Sequence, residues 1–160
     1  MAHATRRHAS AGPKPRVQLV ATIVATVFLA LGVLGFVPGV TTHYGDLAFA
    51  GHHSGAMLFG LFQVSVLHNL LHLLFGLVGL VLARRLGGAR LYLTVGGALY
   101  LALWLYGFAV ARDASANIVP FNDADSWLHL VLGLGMVAVG LLLSTRAGTG
   151  GRLDVPLDRG

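Results

Sequence analysis

Val17-Gln18-Leu19-Val20-Ala21-Thr22-Ile23-Val24-Ala25-Thr26-Val27-Phe28-Leu29-Ala30-Leu31-Gly32-Val33-Leu34-Gly35-Phe36-Val37 is a run of 21 residues without a charge. A helix rising ~1.5 Å per residue over this length spans ~30 Å, the hydrocarbon thickness of a bilayer. Pro38-Gly39 ends the run, and a basic, Pro-containing stretch (Arg6, Arg7, Pro13, Lys14, Pro15, Arg16) precedes it. Three further apolar runs follow. Val66 to Ala83 is closed by Arg84-Arg85, Leu91 to Ala111 lies between Arg90 and Arg112-Asp113, and Asp123 to Thr145 is closed by Arg146. Each reaches or approaches the length that favours a membrane helix over a buried soluble one.

Composition agrees with this reading. Of 160 residues, 56% are hydrophobic and only 11% charged, where a soluble domain carries roughly 25% charged. The mean hydropathy is +0.76. So few charges cannot cover the surface of a soluble fold, and lipid must solvate much of the chain. The net charge of +5 does not point to nucleic acid, because no basic helix face or stripe interleaved with aromatics is present. The basic residues sit in short clusters beside apolar runs. Cysteine is absent, which excludes disulfides, thiolate metal sites and thiol redox chemistry.

The expected fold is all-α: an integral membrane four-helix bundle with helices at about 17–37, 66–85, 91–111 and 123–145. Together these form one domain over 17–146, flanked by a disordered basic tail (1–16) and a disordered C-terminal tail (147–160). With the N-terminus inside, ten of the eleven basic residues are cytoplasmic and only Arg112 is outside. The reverse orientation would place ten outside, so the positive-inside rule selects N-in, C-in. Trp104, Tyr106 and Trp127 then fall at the outer ends of the third and fourth helices. A signal peptide is the competing reading of the first run, with Ala48-Phe49-Ala50 as cleavage site. The apolar core is longer than such peptides carry, and the site lies thirteen residues beyond it. The long outer connection, 38–64, is expected to be loop, with Ala56 to Phe62 lying along the membrane interface. Its length alone suggests a role.

The second and fourth runs align at a spacing of 57: Leu67-His68-Asn69-Leu70-Leu71-His72-Leu73-Leu74-Phe75-Gly76 against Ala124-Asp125-Ser126-Trp127-Leu128-His129-Leu130-Val131-Leu132-Gly133. Ser65 and Asn122 are matching N-cap residues, each with a polar residue three positions on, His68 and Asp125. The pattern reads as two tandem, parallel-repeat helical hairpins. Small residues at Thr22/Thr26, Ala21/Ala25, Gly76/Gly79, Gly96/Gly97, Gly133 and Gly140 are expected to let backbones approach closely.

His72 and His129 each lie seven residues past their caps, hence ~10 Å below the helix start, at a depth where ionisable side chains face the bundle interior. His68 and Asp125 sit one turn above them. If the two helices pack together, His68, His72, Asp125 and His129 converge. Such a group suits a metal ion, and His72 with His129 suits haem as an axial pair. The plain alternative is neutral imidazoles hydrogen-bonding between helices. Asp123 and Asp125 also read as helix-start residues, Asn69 as interhelical glue, and His43, His52 and His53 as solvated loop residues. No nucleophile elbow, phosphate loop or paired intramembrane carboxylates appear, so an enzyme is not the favoured class and no cofactor is identified.

Leu58-Phe59-Gly60-Leu61-Phe62-Gln63-Val64, His68-Asn69-Leu70-Leu71-His72, Leu103-Trp104-Leu105-Tyr106-Gly107, Asn117-Ile118-Val119-Pro120 and Trp127-Leu128-His129-Leu130 resemble an uncharacterised actinobacterial family of membrane proteins, domain of unknown function 4383. The resemblance covers Val17 to Leu143 and implies four helices in a bacterial plasma membrane. It implies no activity. The leading expectation is a small non-enzymatic structural, interaction or accessory component in the lipid bilayer, acting as a homo-oligomer or with another membrane protein. A metal- or haem-binding redox or sensor protein comes second, and a small-solute or proton transporter third.

Overall fold

The structure, a computed structural model, describes residues 15–110, 114 and 116–145. The tails expected to be disordered fall outside these residues, apart from Pro15 and Arg16, and so do Arg112 and Arg146. Four helices carry the architecture: α1 (Arg16–Leu34), α2 (Val66–Leu82), α3 (Leu86–Ala109) and α4 (Asp123–Thr145). Three of them, α1, α3 and α4, are long and apolar enough to cross a membrane, and α2 is a shorter apolar helix of 17 residues.

The connection between α1 and α2 is a folded cap rather than a loop. It holds three antiparallel two-residue strands, β1 (Thr41–Thr42), β2 (Met57–Leu58) and β3 (Phe62–Gln63), in the order β1-β2-β3, and a 3-10 turn at Tyr44–Asp46. Thr41 pairs with Leu58, and Leu58 with Phe62. The expected interfacial stretch 56–62 is the β2–β3 hairpin. Phe59 and Gly60 at its tip both have positive φ, 56° and 69°, the backbone of a tight hairpin turn. Ala56 and Leu58 turn inward onto Leu31 and Leu34, while Phe59 and Leu61 face outward. Thr41 ties the cap to α1, its hydroxyl donating to the Leu34 carbonyl at 3.1 Å. This bond ends α1 three residues before the expected Val37, as the chain folds back over the helix end.

The starts of α2 and α4 are capped from their own sequence. Ser65 Oγ accepts from the His68 N–H at 3.1 Å. The N–H groups of Val66 and Leu67 donate to the carbonyls of Ala48 (3.0 Å) and Phe49 (2.8 Å), so the first turn of α2 is closed by the cap. At α4, Asn122 Oδ1 accepts from the Asp125 N–H (2.9 Å) and Asp125 Oδ2 accepts from the Asn122 N–H (3.0 Å), a reciprocal capping box. Between α2 and α3 only Ala83 to Arg85 intervene. Gly88 makes this turn possible, because any Cβ there would collide with the Leu82 carbonyl. The stretch expected to be a basic loop up to Arg90 is therefore already helix.

The helices associate in two pairs. Along α1 and α2, a Cβ on Gly76 would lie 2.7 Å from the Ala25 carbonyl oxygen. Along α3 and α4, a Cβ on Gly97 would lie 2.8 Å from the Gly133 carbonyl oxygen, and one on Gly133 would lie 3.0 Å from that of Gly97. Of the expected glycines, Gly76, Gly97, Gly133 and Gly140 thus sit where backbones meet, whereas Gly79 and Gly96 face side chains, and Ala21 and Ala25 are fully buried. Thr26 is exposed and Thr22 half-buried, and their hydroxyls donate to their own helix, to the carbonyls of Gln18 (2.7 Å) and Thr22 (2.9 Å). Where the two pairs meet, Phe28, Tyr92, Leu93, Tyr100 and Met136 form the core. At the other end of the bundle Gln18 Nε2 donates to the Ala83 carbonyl at 2.9 Å, joining the start of α1 to the end of α2.

Candidate functional site

α2 and α3 meet through side chains, the Phe75 and Tyr92 rings packing 4.9 Å apart. The space between them is a groove of about 430 Å³. Leu71, Leu74, Val78 and Leu99, all exposed, form its mouth, so it opens sideways on the apolar flank of the bundle. Its inner wall is formed by His68, His72, Tyr100, Phe121 and His129.

Helix periodicity and the caps explain how these side chains meet. His68 is held in the first turn of α2 by Ser65, and His72 lies one turn below it, with the two rings 4.5 Å apart and steeply inclined. α4 brings His129 to the same level from the opposite pair. There it sits between Tyr100 (5.1 Å) and Phe121 (4.8 Å, perpendicular). His68 and His129 are each 4% exposed. The backbones of Gln63 and Pro120, one from each connecting segment, lie beside the His68 ring. Nδ1 of His68, His72 and His129 has no protein partner.

Asp125 is buried, but its carboxylate faces the backbone. Oδ2 accepts from the N–H of Gln63 and of Asn122, both at 3.0 Å. Asn122 Nδ2 adds a bond to the Leu61 carbonyl at 2.7 Å. The aspartate therefore clasps β3 to α4 through Oδ2. A second, smaller void of about 30 Å³ is lined by the three imidazoles, Asp125 and Tyr100, room for one or two waters. Among the described residues no group of three or more His, Asp or Glu side chains is placed to hold a metal ion.

The three histidines singled out in the sequence thus share one groove, while the aspartate serves the clasp. Sequence reasoning missed Tyr100 and Phe121, the aromatic surfaces that hold His129. A tyrosine in the middle of an apolar helix was the available signal for the first. Asn69 is also buried, with neither amide atom paired, pressed against Gly35, so it contributes no interhelical hydrogen bond. His52 and His53 lie in the cap with their rings 3.9 Å apart and tilted at 41°, and neither lines the groove.

Fold and site together define a helical membrane protein with a histidine-walled groove open on its apolar flank. The chain belongs to the family described as Domain of unknown function (DUF4383), whose model matches residues 18–142, the cap and nearly all of the four helices. Comparisons with curated proteins and with solved structures each return no match.

Proposed function

We propose that this protein is a non-enzymatic, multi-pass membrane component that holds one lipophilic molecule in the groove between α2 and α3. The observation that carries this reading is the set of three imidazoles, each with an unpaired Nδ1, in the wall of an otherwise apolar groove open to lipid. A buried polar atom left unpaired costs about 1–3 kcal/mol, and a ligand head group would recover that cost. Rotation about the soft sp³–sp² torsion of His72 turns a ring nitrogen toward the groove. A volume of about 430 Å³ is within the range of small-molecule sites. The polar side chains lining it are imidazoles and one phenol, a set suited to recognition.

In this reading α2 is the fourth span, 17 residues being the lower limit for crossing a bilayer. The end carrying Arg16, Arg84 and Arg85 is cytoplasmic, and the cap and groove lie toward the outer face of the plasma membrane. The positive-inside bias supports this orientation.

The test is native mass spectrometry of protein extracted in mild detergent, with a visible spectrum and metal analysis of the same sample. A stoichiometric organic adduct, lost when Leu99→Trp fills the groove, is the expected result. An adduct-free protein, or an adduct indifferent to Leu99→Trp, would remove the proposal. A Soret band or a bound metal lost in His72→Ala or His129→Ala would replace it with the cofactor reading.

A further inference from the structure

α2 is 17 residues long and α3 is 24. Because the two share the tight turn at Ala83 to Arg85, the difference, about 10 Å at ~1.5 Å per residue, falls at the cap end. The last turns of α3, with Leu105 and Phe108 exposed, therefore rise past the start of α2. The cap fills the level that α2 leaves open. Its Ala48 and Phe49 carbonyls accept from the first N–H groups of α2, and the Gly51 N–H donates to the Ile118 carbonyl at 2.6 Å. At β3, the Gln63 N–H and the Leu61 carbonyl bond to Asp125 and Asn122, which sets the strand beside the start of α4 rather than beyond it.

The surface of the cap is graded in polarity. Between residues 38 and 64 the sole Asp, Glu, Lys or Arg is Asp46, and it ends an exposed polar turn, Thr42 to Asp46. Phe49, Phe59 and Leu61 are exposed and apolar. Phe49 is 67% exposed, as much as Phe108 of α3 at 66%. Non-helical backbone at membrane depth is tolerated only where its polar groups are met inside the protein, and these three residues bond inward. The Phe59 N–H donates to the Val40 carbonyl (2.9 Å) and the Leu61 N–H to the Leu58 carbonyl (3.1 Å). The Phe49 carbonyl accepts from the Leu67 N–H (2.8 Å), and the Leu61 carbonyl from Asn122 Nδ2 (2.7 Å).

Resting on the reading of all four helices as spans, we propose that the cap is embedded in lipid. It lies within the leaflet at its end of the bundle, with Phe49, Phe59 and Leu61 against acyl chains and the turn around Asp46 among the head groups. The bilayer that solvates Leu105 and Phe108 at that level also solvates the cap. Water meets the cap at its polar turn and not along its flank.

The chain has no cysteine, so single nitroxide labels can be attached to the full-length protein through Phe49→Cys, Phe59→Cys and Leu61→Cys. Gly45→Cys, where an added Cβ meets nothing within 4 Å, marks the polar turn, and Val131→Cys marks the exposed face of α4. In phosphatidylcholine nanodiscs, collisions of each label with oxygen, which concentrates in lipid, are compared with collisions with a water-soluble nickel chelate. The labels at 49, 59 and 61 are expected to favour oxygen as the label at 131 does, with the preference reversed at 45. Preference for the chelate at any of the three cap sites, with 131 still favouring oxygen, overturns the embedded cap and leaves the spans intact. A label at 49, 59 or 61 that neither reagent reaches also overturns it, because protein rather than lipid then covers the flank. Preference for the chelate at 131 overturns the membrane reading on which the proposal rests. Each cap site is read by itself, so a variant that fails to fold leaves the other two to decide.

Discussion

The seams within the helix pairs and the seam between them use the same residue, with opposite results. In α1–α2 and α3–α4, glycine meets backbone: Gly76 faces the Ala25 carbonyl, and Gly97 and Gly133 face each other. In α2–α3, glycine meets an aromatic ring, since Gly79 abuts the Tyr92 phenol and Gly96 the Phe75 ring. Glycine against backbone removes the space between helices. Glycine against a ring makes a socket: the ring fills it, the helix axes stay apart, and the stretch beyond the ring is left as a groove. A small-residue motif therefore seals an interface only when its partner is also small.

Breaking a sealed seam should have the largest effect. Gly97→Leu drives a side chain into the Gly133 carbonyl and the Val137 backbone, neither of which can move aside. It should cost about 3 kcal/mol or more, read as denaturant unfolding in detergent micelles. Unfolding unchanged from the parent protein would mean that α3 and α4 do not touch through their backbones.

Asp125→Ala tests the tie between the two pairs rather than a seam. It removes the α4 cap and the bond to Gln63, and about 2 kcal/mol should be lost. Groove occupancy should fall with it if the clasp keeps the pairs in register. Asn69→Leu works in the opposite direction. The amide is fully buried in the α1–α2 seam with no partner, and a leucine of similar volume should raise stability by about 1 kcal/mol. A loss of that size would show that the amide has a partner in the membrane. Smallest of all, Gly135→Ala sits in α4 with nothing within 4 Å of the added Cβ. It should gain about 0.5–1 kcal/mol from helix propensity alone. Set against Gly97→Leu, it separates a glycine needed for contact from one that is merely tolerated.

The helices were legible because uncharged runs of membrane length have few alternative readings, and Ser65 and Asn122 announced the starts of α2 and α4. The cap was not. Strands of two residues carry no periodicity, and the hairpin signal was the unusual pair Phe59-Gly60 rather than Asn-Gly. The histidines could be placed together by depth and spacing. Asp125 could be read in the sequence as a capping or as a ligating residue, because both roles put a carboxylate at the same position, and the structure supplies the capping bonds. Thr22 and Thr26 fit the small-residue pattern in sequence, yet they lie beside the buried stripe of α1 at Ala21, Ala25 and Gly32 rather than on it. The groove was invisible because it depends on what each glycine faces.

The carbonyls of Ala48 and Phe49 that close the first turn of α2 have a consequence for exchange with solvent. The N–H groups of Val66 and Leu67 can open only when residues 48 and 49 leave. Those residues are held in turn by Ser54, whose Oγ accepts from the Ala48 N–H and donates to the Val64 carbonyl. The cap and the turn that positions His68 therefore form one cooperative unit. In deuterated buffer the amides of Ala48, Val66, Leu67 and His68 should exchange at a common rate, so that each opening of the cap also releases the uppermost imidazole of the groove.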